Sequence, residues 1–215
     1  MEIKVFRDIM GANSKLAEEN RNLFRERKIT AINVMASPGA GKTSTILKII
    51  DMLKEDMGAG VIEGDIASSI DAEKIEQLGI PVVQINTGGG CHLDANMIQV
   101  VMEDFAVREG SLLFIENVGN LVCPSAFDLG ENMKMVIASV PEGHDKPYKY
   151  TSMFEAADVV ILNKTDLAPY IDFDRDSFYK GVRALNEKVP VFEVSCKTGE
   201  GFEALAKWLK SFAAK

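Results

Sequence analysis

The sequence has little of what marks a secreted or membrane-bound protein. Its 215 residues include only three cysteines, too few to staple a domain of this length with disulfides, so we expect free thiols in a reducing cytoplasm. No apolar run approaches the roughly 18 residues that a membrane-spanning helix needs. Residues 1–28 are charged and lack the apolar stretch of a signal peptide. We therefore expect a soluble, cytoplasmic protein with no membrane partner.

Positive charge is also scarce. The chain has 24 Lys and Arg against 32 Asp and Glu, which gives a net charge of −8. A surface of this sign repels the phosphate backbone, so the composition argues against a nucleic-acid-binding protein that works by overall electrostatics. An anionic ligand would have to be bound by a local feature, such as a loop.

Short apolar runs alternate with amphipathic stretches along the whole chain. Hydrophobic residues make up 47% of the sequence, enough for a substantial core. The alternation predicts an α/β fold with a mostly parallel, twisted sheet and helices on both faces. We expect an N-terminal helical segment over residues 1–28, packed on a single domain over residues 29–215. The main predicted strands cover residues 29–35, 82–86, 112–115, 135–138 and 159–162, and the main predicted helices cover residues 12–27, 44–57, 92 or 93 to 107, and 202–212.

A glycine-rich loop follows the first predicted strand. Residues 36–43 read Ala-Ser-Pro-Gly-Ala-Gly-Lys-Thr, one glycine short of the full P-loop pattern because Ala36 takes the first position. When a strand, such a loop and a helix follow one another, the backbone N–H groups of the loop point at phosphate oxygens. The alternative is a glycine-rich turn that only leads into a helix, and the coincidence of all three elements argues against it. We expect Lys42 to reach the β- and γ-phosphates and Thr43 to ligate Mg²⁺. The predicted phosphate-binding residues are Ser37, Pro38, Gly39, Ala40, Gly41, Lys42, Thr43 and Ser44.

Two further loops resemble the base-binding elements of the GTPase superfamily. Asn163, Lys164 and Asp166 form an Asn-Lys-x-Asp motif after a predicted strand, where the carboxylate can accept hydrogen bonds from guanine N1–H and the 2-amino group. Adenine offers no such pair of donors, so we expect GTP to be preferred over ATP. This motif argues against a P-loop kinase and against a simple Asn/Asp-rich helix start. Ser195, Cys196 and Lys197 resemble the Ser-Ala-Lys-like loop that faces guanine O6, and we interpret Cys196 as a small buried residue there.

The acidic residues expected near Mg²⁺ depart from the small-GTPase pattern. In place of Asp-x-x-Gly, the central strand is followed by Glu-Asn-Val-Gly at residues 116–119. We expect Glu116 to lie near Mg²⁺ and Gly119 to sense the γ-phosphate. Asp65 and Asp71 could supply a second carboxylate, or could equally be helix caps and solvated acids. No glutamine is placed to orient water, so hydrolysis should be slow. The predicted catalytic residues are Lys42, Asp65 and Glu116.

Cys91, His92 and Cys123 form a second candidate site. Each stretch that carries them follows a predicted core strand, so the two stretches could meet at the same edge of the sheet. Two thiolates and an imidazole make a borderline-soft donor set suited to Zn²⁺ or Ni²⁺. The alternative is that the cysteines are small buried hydrophobic residues with a structural role. A twofold dimer would bring six such ligands around its axis.

The motifs around these residues carry a family resemblance. Gly-Gly-Cys-His-Leu-Asp-Ala at residues 89–95 and Glu-Asn-Val-Gly-Asn-Leu-Val-Cys-Pro at residues 116–124 closely resemble HypB, the family of GTPases for nickel insertion into [NiFe]-hydrogenase. HypB belongs to the SIMIBI class of P-loop GTPases. The urease counterpart UreG is the nearest rival, but it is expected to show Cys-Pro-His in place of Cys91-His92.

The resemblance implies a GTP-hydrolysing metallochaperone that works as a GTP-controlled homodimer. GTP/GDP and Mg²⁺ would be bound at the P-loop, and Ni²⁺ or Zn²⁺ at an inter-subunit site of Cys91, His92 and Cys123. Lys149 would reach the phosphates of the facing subunit. Partners would be other hydrogenase maturation proteins, namely a nickel chaperone and the hydrogenase large-subunit precursor. The competing hypothesis is a regulatory GTP-binding module whose cysteines are structural.

Overall fold

A seven-stranded sheet organises the computed structural model, which describes residues 9–65 and 70–214. The strands are β1 Thr30–Ala36, β2 Ala59–Asp65, β3 Val82–Asn86, β4 Leu112–Glu116, β5 Met133–Ser139, β6 Val159–Asn163 and β7 Val191–Glu193. Their order in the sheet is β3-β2-β4-β1-β5-β6-β7, and every pairing between them is parallel. The predicted parallel α/β fold is therefore confirmed.

Eight α-helices connect or flank these strands within the described residues. They are α1 Ile9–Glu26, α2 Lys42–Leu53, α3 Ile70–Gln77, α4 Ala95–Asp104, α5 Lys146–Lys149, α6 Thr151–Glu155, α7 Arg175–Leu185 and α8 Phe202–Ala213. Short 3₁₀ turns span Cys123–Ala126, Val140–Glu142 and Thr165–Tyr170. None of the described helices is long and apolar enough to cross a membrane.

The two faces of the sheet bury separate apolar clusters. Successive side chains of a strand point to opposite faces, so Ile32 of β1 packs with α2 and α8 while Ala31 packs with α1 and α4. Beyond β1, a third cluster seats Phe154 of α6 and Phe178 of α7 on β5 and β6. Burial on both faces explains why the central strands read as continuous apolar runs. Helix α1 packs mainly against α4, and the proposed division of the chain at residue 28 stays a prediction.

Several predicted helix limits were wrong. Helix α4 begins at Ala95 because Asp94 caps it, its carboxylate accepting a 2.8 Å hydrogen bond from the N–H of Met97. His92 therefore lies in a loop before the helix. Helix α7 was not anticipated, although Asp174 caps its start by accepting a hydrogen bond from Ser177 N–H. The charged stretch at residues 141–149 contains most of a 3₁₀ turn and a short helix, neither of which is among the elements predicted above.

Candidate functional site

The glycine-rich loop between β1 and α2 adopts a backbone that only glycine suits. Gly41 caps α2 with a φ of 100°, in the left-handed region. A Cβ on Gly41 would lie 2.5 Å from the side-chain nitrogen of Asn163, so a larger residue would displace that side chain. Ala36, at the position of the missing first glycine, is fully buried at the end of β1. Lys42 reaches back over the loop, with its Nζ 3.5 Å from the carbonyl oxygen of Ser37.

Two cavities open on this loop, and Lys42 and Glu116 line both of them. One, of about 340 Å³, is lined by Gly39, Gly41, Lys42, Thr43, Ser44, Glu116 and Lys164. The other, of about 310 Å³, is lined by Pro38, Lys42, Glu63, Gly64, Asp65, Glu116, Asn117, Val118 and Gly119. The larger of these two cavities is lined mainly by the glycine-rich loop and the start of α2, and the smaller one is lined by the carboxylates at the ends of β2 and β4.

Carboxylates gather beside the Thr43 hydroxyl, which donates a 2.9 Å hydrogen bond to Oε1 of Glu116. Glu63 pairs with Glu116 across β2 and β4, and both are buried. Asp65 ends β2 at the same edge. Oxygen donors of this kind are what Mg²⁺ prefers, so the residues fit that ion. Asp71 belongs to the first turn of α3, but its side chain lies outside the described part of the chain.

Sequence reasoning missed Glu63. Its signal was an acidic residue in a short apolar strand, directly opposite Glu116 in a register that only the sheet pairing reveals.

Asn163 connects the glycine-rich loop with the loops that follow β6 and β7. Its amide donates to the carbonyl of Ala40 at 3.0 Å, and its Oδ1 accepts from the N–H of Lys164 at 2.7 Å and from the thiol of Cys196 at 3.4 Å. Lys164, in the left-handed region with a φ of 60°, donates from Nζ to the carbonyl of Gly39 at 2.7 Å. The Asn-Lys-x-Asp motif is thus tied directly to the phosphate loop.

The candidate base-binding residues Asp166 and Ser195 are in contact. The Ser195 hydroxyl donates to Oδ1 of Asp166 at 2.6 Å and accepts from the N–H of Thr198 at 3.1 Å, which fixes the carboxylate against the last loop. Cys196 is half-buried, with its Sγ 3.5 Å from Oγ1 of Thr45 in α2. Lys197 is exposed.

Glu142 is a second residue that sequence reasoning missed. Its carboxylate accepts hydrogen bonds from the hydroxyls of Ser37 and Ser139, which ties the phosphate loop to the segment after β5. Farther along that segment, Lys149 is exposed and forms an ion pair with Asp145. Lys149 lines neither of the two cavities.

Cys91, His92 and Cys123 come together at the same edge of the sheet. One donor atom from each lies within 4.8 Å of the others, and the Cys91 Sγ is 3.5 Å from Nδ1 of His92. Cys91 is exposed, while the other two are half-buried. A hydrogen bond with Cys123, together with lost hydration and repulsion between the two thiolates, raises the pKa of the Cys91 thiol. Metal binding at such a site must displace protons.

Asn117 and Asn120 connect the cluster to the nucleotide loop. The Asn117 side-chain oxygen accepts from the N–H groups of Leu93 and Val118, each at 3.0 Å. Asn120 donates from its backbone N–H to the carbonyl of Ala36 at 2.9 Å and from its amide to the carbonyl of Cys91 at 3.3 Å. Its Oδ1 accepts from the N–H of Val122, beside Cys123, at 2.8 Å.

Gly119 completes this connection from the nucleotide side. A Cβ there would lie 2.9 Å from Cγ of Pro38, so the segment rests directly on the phosphate loop. Residues 116–123, which we call the linking segment, therefore contact the nucleotide loop at one end and carry Cys123 at the other.

Known proteins are similar to this chain in sequence and in structure. The chain matches the family model "CobW/HypB/UreG, nucleotide-binding domain" over residues 30–193. It is 49% identical to "Hydrogenase maturation factor HypB" of Rhizobium leguminosarum bv. viciae over 99% of this chain and 71% of the relative.

Two solved structures are also similar. "Crystal structure of HypB from Helicobacter pylori in complex with nickel" has a TM-score of 0.89 at 35% identity, covering 94% of this chain and 95% of that one. HypB from Archaeoglobus fulgidus has a TM-score of 0.87 at 37% identity, covering 94% and 99%. By sequence and structure, the chain belongs to the HypB family of hydrogenase maturation factors, within the CobW/HypB/UreG group of P-loop proteins.

Proposed function

We propose that the chain is a GTP-hydrolysing metallochaperone that holds nickel at Cys91, His92 and Cys123 during hydrogenase maturation. The observation that carries this proposal is the linking segment, because one short stretch contacts the nucleotide loop and ends in a metal-ligand candidate. Nucleotide state and metal binding would then be coupled within one chain, as a timed delivery of metal requires.

Nucleotide binding is assigned to the loop between β1 and α2. Backbone N–H groups and the start of α2 would bind the phosphate oxygens, with Lys42 on the β- and γ-phosphates. Asp166 would accept two hydrogen bonds from guanine, oriented by the Ser195 hydroxyl that it already contacts at 2.6 Å. An adenine base would offer that carboxylate neither of the two guanine donors, a loss of about 1–3 kcal/mol.

Hydrolysis is assigned to the two cavities together, which share Lys42 and Glu116. Thr43 and Glu116, with Asp65, would hold Mg²⁺, which neutralises charge on the β- and γ-phosphates when bound. Lys42 would stabilise the charge that develops on the leaving phosphate oxygens, and Gly119 would meet the γ-phosphate through its N–H. Among the described residues, none that lines either cavity is a glutamine, which supports slow hydrolysis.

A second subunit would complete the nucleotide site. Lys149 is exposed on a segment that starts at Glu142, a contact of the phosphate loop, so a facing protomer could present this lysine to the nucleotide. A twofold axis near the cluster would also assemble two sets of Cys91, His92 and Cys123, enough donors for one shared ion. We therefore propose a GTP-controlled homodimer.

The donor set supports nickel or zinc as the metal. The exposure of Cys91 argues against the alternative in which the cysteines are structural, because structural free cysteines are usually buried. The nickel complex reported for the Helicobacter pylori relative favours nickel as the cargo here. The family's role makes a nickel chaperone and the hydrogenase large-subunit precursor the expected partners, in the cytoplasm.

A titration with Ni²⁺ and with Zn²⁺ tests this proposal, using the full chain loaded with GDP or a GTP analogue while molar mass is recorded. The wild type should bind metal tightly and be dimeric with the GTP analogue, and Cys123→Ala should weaken metal binding without changing GTP affinity. Cys196→Ala, a cysteine outside the cluster, is the matched control. Equal metal affinity in wild type and Cys123→Ala would contradict the metallochaperone assignment.

A further inference from the structure

An aromatic side chain next to the cluster has no role in the function proposed so far. The ring of Phe127 stacks on the imidazole of His92, with centroids 3.8 Å apart and an interplanar angle of 29°. Phe127 directly follows the 3₁₀ turn Cys123–Ala126 and closes it by donating its N–H to the carbonyl of Pro124. The segment that carries Cys123 therefore also carries the ring against which His92 lies.

Phe127 does not serve a hydrophobic core. The three apolar clusters of the described residues contain other aromatic rings, but Phe127 is not a member of any of them. It is only half-buried, whereas Phe24, Phe114, Phe154, Phe178 and Phe202 are fully buried. The aromatic neighbour of Phe127 among the described residues is the imidazole of His92. Core packing thus leaves the place of this ring unexplained.

Helix α1 joins the two segments that carry the stacked rings. Asn13 accepts from the N–H of Ala95, shortly after His92, and donates to the carbonyl of Asp128, which follows Phe127. Asn20 donates to the carbonyls of Ala95 and Leu129 at 2.8 and 3.0 Å. Each asparagine therefore bridges the same two segments. These hydrogen bonds fix the distance between the backbone segments that carry His92 and Phe127.

The stack has a direct consequence for the donor atoms. A histidine ring in a loop rotates over a broad range about its last side-chain bond. Contact with a second ring restricts that rotation and holds the edge with Nδ1 toward the Cys91 thiol, 3.5 Å away. A ligand held in place before the metal arrives loses less conformational freedom on binding.

We propose that Phe127 is a positioning residue for the metal centre, which holds the His92 imidazole beside the two thiols. This inference rests on the proposed metal function of Cys91, His92 and Cys123. The ring of Phe127 contacts the His92 imidazole, so the effect of this side chain on metal affinity should pass through that imidazole.

A double-mutant cycle on Ni²⁺ affinity tests this, measured on the full chain with GDP bound. Phe127→Leu keeps apolar bulk without a ring and should weaken Ni²⁺ binding roughly 10- to 100-fold, the usual cost of losing an outer partner of a ligand. Phe127→Tyr keeps the ring and should stay within about twofold of wild type. His92→Ala should weaken binding, and adding Phe127→Leu to it should cause no further loss.

Each outcome of the cycle is decisive. Full Ni²⁺ affinity in Phe127→Leu would overturn the proposal, and so would additive losses in the double variant, which would mean that Phe127 acts on stability in general. GDP affinity and the unfolding midpoint should be unchanged in Phe127→Leu. If the wild type shows no metal binding that depends on Cys123, the proposed metal function itself fails, which is a separate result from a failed stack.

Discussion

The glycine-rich loop and the proposed metal cluster of Cys91, His92 and Cys123 lie at the same edge of the sheet but are held together in different ways. The loop is a contiguous stretch whose shape comes from glycine conformations and from hydrogen bonds to its carbonyl groups, such as the one that the Asn163 amide donates to Ala40. The cluster joins two segments that are distant in the chain. Side chains hold those segments together: the amide of Asn120 on Cys91 and the ring of Phe127 on His92.

This difference has a functional consequence. The glycine-rich loop is shaped mainly by its own backbone, so it should keep its conformation when most single side chains change. The cluster depends on a few side-chain contacts between two segments, so it should respond to small shifts of either segment. We therefore expect nucleotide binding at the glycine-rich loop to change the metal affinity of the cluster. By thermodynamic linkage, metal binding should change nucleotide affinity in return, through the same linking segment. The predictions below separate the two regions, from the largest expected effect to the smallest.

Lys42→Ala should break the nucleotide region alone. Losing a charged hydrogen-bond donor to the phosphates should lower GTP affinity about 100-fold or more. Folding should be unaffected, because in the free protein this side chain only reaches the Ser37 carbonyl at 3.5 Å. Calorimetric titration with GTP measures the effect, and Cys-dependent Ni²⁺ binding without nucleotide serves as the control. Unchanged GTP affinity would remove the phosphate-loop assignment.

Asp166→Asn should change base selectivity without touching the metal cluster. The amide reverses the donor and acceptor match on the guanine edge, so GTP affinity should fall about 10- to 100-fold and xanthosine triphosphate should bind better. Competition between the two nucleotides for one fluorescent probe gives the ratio. Ser195→Ala removes the hydroxyl that contacts Asp166 and should give a smaller change in the same direction for GTP. An unaltered GTP preference in Asp166→Asn would rule out its role in base recognition.

Asn20→Ala should weaken the metal region more than the nucleotide region. It removes hydrogen bonds to the carbonyls of Ala95 and Leu129, both in buried surroundings, at a cost of about 1–3 kcal/mol in the free energy of unfolding. Chemical denaturation measures that cost. Ni²⁺ affinity should fall while GTP affinity stays within about twofold. Parallel losses of both affinities would show that α1 supports the whole domain and has no particular link to the cluster.

The pair between Asp128 and Arg21 should have the smallest effect, on stability and its pH dependence. Burial alone would raise the pKa of Asp128, but a hydrogen bond from Gly130 N–H and the Arg21 guanidinium outweigh it and hold the pKa below its ordinary value. A depressed folded pKa stabilises the protein above the unfolded pKa, and this contribution is lost as the pH falls through the folded one.

Asp128→Asn should therefore be less stable than wild type near neutral pH, by an amount that vanishes in acid. Asparagine keeps an oxygen for the Gly130 N–H, so the variant isolates the charge on Asp128. Urea denaturation at neutral pH and at a pH below the usual aspartate range gives both differences. A gap between the two proteins that is the same at both pH values would contradict this sign.

Features that depend on local motifs were predicted from the sequence better than features that depend on contacts between distant parts of the chain. The glycine-rich loop and the alternation of strands with helices, which predicts a parallel sheet, were visible because each depends on residues that are close together in the sequence. Glu63 was missed because only the sheet register places it opposite Glu116, and Glu142 was missed because its contact Ser37 lies on a loop that is distant in the chain. The start of α4 was misplaced because Asp94 was read as helical although it is the cap.

The central claim is that the linking segment couples nucleotide state to the metal cluster. The most direct measurement is the Ni²⁺ affinity of wild type and Asn120→Ala, each with GDP and with a GTP analogue. This substitution removes the contacts to Cys91 and Val122, while the backbone bond to Ala36 remains. The account predicts that exchanging the nucleotide shifts wild-type affinity at least about fivefold and shifts that of Asn120→Ala less than twofold. A wild type indifferent to nucleotide, or a variant that keeps the whole shift, would contradict it.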